Sequence, residues 1–322
     1  MKQDQIQTSS EPTVLRAEQV AGRQWLSDEP RLSRLEDGAV RVVAPAKINL
    51  TLWVGPRLKD GYHPVESIIA LISLVDRLTV LTAAKGPVLT CSQEDLACGK
   101  NNLVIQAAQM LAERANRPAN LRMHLDKSIP IGAGLGGGSS DAAACLLALN
   151  ALWDLGYSNQ ELAEIGAQLG SDVPLFLHGP ISIMRGRGEL VESAGFDWPF
   201  WAVVLAPDEP IATAEVYHKF DELLTKAVDV DRITLQHLGL CTPEAAGSVM
   251  YNMLTEAAFA VLPRLNQLAQ QLLEAGAQAV QISGSGSALV CLFNSQGRAS
   301  HVVDQLSPRL RARAWIVHGG HP

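Results

Sequence analysis

The sequence predicts an α+β protein of two domains, and three observations carry that expectation. The chain has 322 residues, 47% of them hydrophobic, which suffices for a sizeable core and, at ~100–200 residues per domain, for two domains. Segments of strand period and helix period follow one another through the first half. Past a composition change near 193–199 come a strand, several helices, two strands around a Gly/Ser loop, a helix and a last strand, an order that suggests an α+β sandwich. The expected division is a flexible tail over 1–38, an N-terminal domain over 39–196 and a C-terminal domain over 197–322.

The elements follow in order. Residues 1 to about 38 are polar, mixed in charge and without a sustained period, so folded structure is expected from Val40. Ile48, Leu50, Leu52 and Val54 alternate with Lys47, Asn49, Thr51 and Trp53, the pattern of a strand that buries one face only. Asp60-Gly61 closes a turn, after which Val65 to Leu74 and Leu78 to Thr82 fit strand or short helix. A helix is expected from Asn102 to Arg114 and a strand from Leu121 to Leu125. A largely buried helix from about Ser140 to Leu155 carries Ala142, Cys145, Leu146, Leu149, Leu152 and Trp153. Ser158 and Glu161 form a capping box for the next helix, which ends at Gly170. A strand over Ala202 to Leu205 and a helix over Leu262 to Ala275 stand out in the second half.

Charge and cysteine content exclude several function classes. The net charge is −7 and the 26 Lys and Arg residues are scattered without a basic block, so no nucleic acid partner is expected. Cys91, Cys98, Cys145, Cys241 and Cys291 are widely spaced, and Cys145 and Cys291 sit in apolar runs, which fits a reducing cytoplasm. No apolar stretch approaches the ~20 residues of a membrane span. The polar start lacks the hydrophobic segment of a signal peptide.

The most informative stretch is Pro130-Ile131-Gly132-Ala133-Gly134-Leu135-Gly136-Gly137-Gly138-Ser139-Ser140-Asp141, with five glycines in seven positions just before a helix. Phosphate oxygens need several backbone N–H donors at close range, and a helix N-terminus adds partial positive charge. Ser139 and Ser140 add hydroxyls, with Ser140 also a candidate N-cap. No lysine follows the glycines, so this is not a Walker A loop. Gly132, Gly134 and Gly137 satisfy G-x-G-x-x-G, which keeps a dinucleotide-binding oxidoreductase as the runner-up. A capping-box helix nevertheless stands where that fold requires a strand ending in an acid. Neither H-R-D nor D-F-G occurs, which excludes a protein kinase.

Three further sites attract chemistry. Lys47 lies on the polar side of its strand, where an exposed lysine is the ordinary alternative. Asp172, in Gly170-Ser171-Asp172-Val173-Pro174, is surrounded by apolar residues and needs a partner if buried; turn duty ahead of Pro174 is the alternative. Ser283-Gly284-Ser285-Gly286-Ser287 between apolar segments is either a hairpin or a close approach to a ligand.

Together these stretches resemble the three motifs of the GHMP kinases: Pro45-Ala46-Lys47-Ile48-Asn49-Leu50 the first, Pro130 to Ala144 the second and Gly284-Ser285-Gly286-Ser287 the third, in family order. The similarity runs from about Val40 to the C-terminus. Asp60-Gly61-Tyr62-His63 and Gly170-Ser171-Asp172-Val173-Pro174 are similar to the branch whose substrate is a cytidine diphosphate sugar alcohol. The resemblance implies a ribosomal-S5-like N-terminal domain joined to a ferredoxin-like C-terminal domain, with ATP and substrate meeting between them. It also implies ATP-dependent phosphorylation of the 2-hydroxyl of 4-diphosphocytidyl-2-C-methyl-D-erythritol, in non-mevalonate isoprenoid synthesis. Another GHMP small-molecule kinase, of homoserine or mevalonate type, and a silent GHMP-fold sensor are the alternatives; retention of Lys47 and Asp172 argues against the sensor.

By the same resemblance, Asp172 would accept or orient the substrate hydroxyl proton while Lys47 stabilises the attacking oxygen and the phosphoryl charge. Asn49 would hold the erythritol part. Tyr62 and His63 would stack on and hydrogen-bond the cytosine, and Gly284 and Ser285 would line the substrate. Asn102 and Lys127 match positions that contact the adenine nucleotide. Pro130, Gly132, Gly134, Leu135, Gly136, Gly137, Gly138, Ser139 and Ser140 would cradle ATP with Mg²⁺, for which no protein ligand is assigned. A monomer or homodimer is expected. Asn252-Met253-Leu254-Thr255 departs from the family's usual Asn-Asp-Leu-Glu.

Overall fold

A computed structural model describes residues 29–195, 197–223 and 242–320. Residues 1–28 of the expected tail, Cys241 and the 196 side of the expected domain boundary lie outside the described residues. The first sheet is built around one strand of 18 residues, β4 (Val65–Thr82). Along one edge it pairs with β2 (Val40–Asn49) and β3 (Trp53–Val54), along the other with β6 (Leu121–Asp126) and β7 (Ile181–Gly186), all antiparallel. β1 (Leu32–Arg34) adds to β2, β5 (Val88–Cys91) runs parallel to β6, and β8 (Leu190–Ser193) closes the β7 side. The two segments expected over 65–82 are therefore one strand. β7 pairs with its first half and β6 with its second, while β2 pairs along both from Ile69 to Val80, so one partner bridges what local pattern divides.

The second sheet has the order β10 (Gln281–Ile282), β11 (Leu289–Phe293), β9 (Phe200–Leu205), β12 (Ala314–Gly319), antiparallel throughout. This is the ferredoxin-like order that the resemblance implies. Ile48, Leu50, Ile72, Val204, Val290 and Val317 belong to one buried cluster, so the two sheets share a core. Burying each such side chain contributes about 1.5–3 kcal/mol. The helices α1 (Leu103–Arg114) and α2 (Gly137–Leu152) supply Val104, Leu111, Cys145 and Leu149 to the other large cluster, against Val42, Leu78 and Met123.

Several expectations are corrected. Leu32–Arg34 pairs with Val40–Val42, so the fold begins before Val40 and part of the expected tail is an edge strand. β2 is buried on both faces, with Lys47 and Asn49 each 5% exposed, because the second sheet covers one side and α2 the other. A register shift between Pro45 and Ala46 decides which side chains face which layer. Before it, Val40, Val42 and Ala44 join the helix-side core; after it, Ala46, Ile48 and Leu50 join the inter-sheet core. The bulge thereby turns Lys47 and Asn49 toward the glycine-rich loop. The strand also stops at Asn49: Leu52 instead donates its N–H to Tyr251 and accepts from Met253. β7 and β8 carry no strong alternating pattern and escaped the sequence.

Candidate active site

The glycine-rich loop opens α2 one turn earlier than expected. Gly136, with φ 71°, is the N-cap, and Gly137 to Ser140 form the first turn. Ser140 therefore donates its N–H to the Gly136 carbonyl at 2.9 Å and is no N-cap; its hydroxyl is buried without a partner among the described residues. Two glycines are demanded by packing as well as conformation. At Gly134 (φ +75°) a Cβ would lie 2.2 Å from the Ser283 carbonyl oxygen and 2.8 Å from that of Gly286. At Gly136 it would lie 2.7 Å from Phe176 Cζ and 3.0 Å from Lys47 Cγ.

These contacts stitch the three motifs together. Lys47 donates its backbone N–H to the Leu135 carbonyl at 2.9 Å, and Ala288 donates to Ala133 at 3.0 Å. The Ser283 hydroxyl donates to Gly134 O at 3.0 Å and accepts from Asn49 N at 3.4 Å. The Asn252 side chain donates to the carbonyls of Ile282 (3.1 Å) and Gly284 (2.8 Å) and accepts from Leu254 N (2.9 Å). The departure at 252–255 thus leaves intact the asparagine that holds the third motif.

Lys47 donates from Nζ to Asn49 Oδ1 at 2.7 Å, and Asn49 Nδ2 donates to Ser67 Oγ at 2.7 Å, which fixes the carboxamide with its oxygen toward the ammonium. Burial holds the Lys47 ammonium below the ordinary lysine range, and the Asp172 carboxylate acts against that shift. Asp172 sits in the turn between α3 (Asn159–Gly166) and the 3-10 helix Pro174–Leu177. Its neighbours lock it: Val173 is fully buried against Gly166, and Phe176 packs beneath Gly136. The buried Arg31 guanidinium, just ahead of β1, donates to the Phe176 carbonyl and so braces the 3-10 helix that follows this turn. The Tyr217 phenol is pushed up to about 12, by burial first and by the Asp172 charge second.

Two clefts flank the loop. One, of about 690 Å³, is lined by Lys47, Asn49, Tyr62, His63, Asp172, Gly284 and Ser285. The other, of about 280 Å³, is lined by Asn102, Lys127, Pro130, Gly132, Leu135, Gly137, Gly138 and Ser139. Gly134 and Gly136 line both. All the expected site residues thus reach a cleft wall except Ser140, which lines neither. Asn102 caps α1 by accepting from Val104 N at 2.9 Å. Lys127 bridges Asp76 and Asp141.

Tyr62 is 59% exposed, with the Arg187 guanidinium 4.6 Å from its ring centroid. His63 is buried, and both ring nitrogens are engaged, Nδ1 with Gly55 O at 2.8 Å and Nε2 with Asp221 Oδ1 at 3.1 Å. Its ring therefore anchors the Tyr62 turn and has no polar edge left over. The sequence missed Arg57, Arg187, Tyr217 and Asp221 on the larger cleft. Only the glycines around Arg187 and the Tyr217/Asp221 spacing of one helical turn hint at them.

Fold and loop together define the class. Residues 102–180 match the family model described as GHMP kinases N terminal domain, and residues 239–311 the one described as GHMP kinases C terminal. The structure of L. major mevalonate kinase in complex with R-mevalonate shares the fold, with TM-score 0.67 at 18% identity over 86% of this chain and 95% of that one. The chain belongs to the GHMP kinases. A 4-diphosphocytidyl-2-C-methyl-D-erythritol kinase from Salinispora tropica is 39% identical over 292 residues, 87% of this chain and 90% of its own. A crystal structure of 4-(cytidine 5'-diphospho)-2C-methyl-D-erythritol kinase matches with TM-score 0.72 and 34% identity, over 88% of this chain and 100% of that one. Within the superfamily the chain belongs to the 4-diphosphocytidyl-2-C-methyl-D-erythritol kinase family.

Proposed function

We propose that the protein transfers the γ-phosphoryl group of ATP to the 2-hydroxyl of 4-diphosphocytidyl-2-C-methyl-D-erythritol. The observation that carries this reading is the pair Gly134 and Gly136, shared by both clefts. A triphosphate laid along the loop would end where the larger cleft presents Lys47 and Asp172.

The loop's own geometry supports a phosphate there. A Cβ at Gly138 would meet nothing closer than Leu103 Cδ1 at 3.8 Å, so packing does not require this glycine. Its bare amide, at the start of a 16-residue helix, suits an anion. Leu96 and Leu103 would flank the adenine, with Asn102 and Lys127 on the same wall.

Phosphoryl transfer needs positioning and charge neutralisation more than covalent help. Asp172 would accept the proton of the 2-hydroxyl or aim it, and Lys47 would hold the negative charge on the attacking oxygen. Asn49, oriented by Ser67, would fix the erythritol hydroxyls. The exposed face of Tyr62 would stack on the cytosine, with His63 holding its turn in place. Among the described residues no group of three or more His, Cys, Asp or Glu side chains forms a metal-holding set. Mg²⁺ entering with the nucleotide would supply charge neutralisation, with Ser139 the hydroxyl at hand on the loop.

The test is direct: incubate the protein with ATP and the diphosphocytidyl substrate and follow ³¹P resonances. A new phosphomonoester on the methylerythritol unit is expected. ADP release only with homoserine, mevalonate or another small alcohol would refute the substrate assignment.

A further inference from the structure

The reaction makes no direct use of Asp76, yet it is a fully buried charge at the root of the glycine-rich loop. It lies on β4 opposite Ala44 and is 0% exposed. A carboxylate so placed needs donors to offset its lost hydration. Asp76 Oδ1 accepts from Ser128 N at 2.6 Å and from Ile129 N at 2.8 Å, and Oδ2 accepts from Lys127 Nζ. Lys127 Nζ donates in turn to Asp141 Oδ2 at 2.8 Å, with both side chains 3% exposed.

The positions of these partners give the arrangement its meaning. Residues 127–129 are the stem that enters the loop at Pro130, and Asp141 lies in α2, just past the loop's far end. One carboxylate thus holds the entering stem by two amides and, through Lys127, holds the departing helix. The ammonium also lies against the loop itself, since a Cβ on Gly137 would fall 2.8 Å from Lys127 Nζ. Lys127 and Asp141 line the smaller cleft, whereas Asp76 stands behind them.

We propose that Asp76 is a positioning residue for the phosphate-binding loop: it sets the spacing between the loop's two ends and so pre-organises the amides that receive ATP, without touching the nucleotide. This inference rests on the assignment of the smaller cleft to ATP. Pre-organised donors bind without a further ordering cost, so loosening the bracket weakens nucleotide binding and leaves the cytidyl side untouched.

Asp76→Asn is the informative variant, because Lys127 keeps Asp141 and no charge is left unpaired. ADP affinity by calorimetry and the KM for ATP are expected to worsen tenfold or more, with the KM for the diphosphocytidyl substrate changed less than twofold. Unchanged ADP affinity, or equal losses for both substrates, overturns the inference. A wild type that binds no ADP overturns the nucleotide assignment and this inference with it. If the variant does not fold, hydrogen exchange on the wild type decides. The amides of Ser128 and Ile129 are expected to stay protected without nucleotide; their exchange within seconds overturns the inference.

Discussion

The Ser283 hydroxyl donates to the Gly134 carbonyl over 3.0 Å, with Ser283 0% exposed. Because the same oxygen accepts from Asn49 N at 3.4 Å, one side chain at the edge of the third motif ties the first motif to the second. Ser283→Ala leaves a buried carbonyl and a buried amide short of a partner, a loss of about 1–3 kcal/mol. A matching fall in denaturant midpoint and lower kcat/KM are expected. Wild-type stability and activity in this variant would show that the latch is idle.

Asp172→Asn keeps the shape of the turn and removes its charge. A general base or hydroxyl-orienting carboxylate is worth about 10²–10⁴ in rate, so kcat should drop by that range while ADP affinity stays within twofold. Steady-state kinetics and calorimetry on one preparation check both halves.

In the proposed role Lys47 must be protonated to neutralise developing charge, and burial lowers its pKa while Asp172 works against that shift. The alkaline limb of the pH–rate profile should therefore fall below the ordinary lysine value of 10.5. In Asp172→Asn the supporting charge is gone, so the residual activity should lose its alkaline limb at still lower pH. A limb that stays in place would break the link between the two residues.

Burial pushes the Asp141 carboxyl from 3.8 up to about 7, with Lys127 opposing and Asp76 adding to the shift. The folded-state value lies above the unfolded one, so the folded protein keeps a proton that the unfolded chain releases. The contribution of this carboxyl to stability is full below about pH 4 and is lost as pH rises to about 7. Asp141→Asn removes that dependence. Melting temperatures across this window should fall less steeply for the variant than for the wild type; parallel curves would contradict the assignment.

Two glycines of the loop should respond in opposite ways to alanine. Gly134→Ala drives a Cβ to 2.2 Å from a backbone oxygen at φ +75°, and backbone cannot step aside as a side chain can. Severe destabilisation or failure to fold is expected. Gly138→Ala has open space and a helical position, so it should raise stability by up to about 1 kcal/mol while raising the KM for ATP. Thermal melts together with ATP titration separate these outcomes.

Much of the site was legible because its signals are local. Glycines packed before an apolar helix stripe announce an anion loop, and Ser158 with Glu161 announces a capping box that the structure contains. The resemblance of three ordered motifs then implied which side chains share a site. Tyr217 and Asp221 were invisible for the opposite reason: an ordinary helix carries them, and only its packing beside the Tyr62 turn brings them to the cleft.

Chain order alone settled the Ser158–Glu161 capping box, the buried helix that carries Cys145 and Leu149 and the glycine-rich stretch ahead of it, since these depend on backbone torsions and near neighbours. Packing settled the rest. Whether Lys47 is solvated or buried depends on a bulge at Pro45/Ala46 and on two layers far away in sequence. The cost of a charge is set by what surrounds it in space, and no local pattern of residues records that.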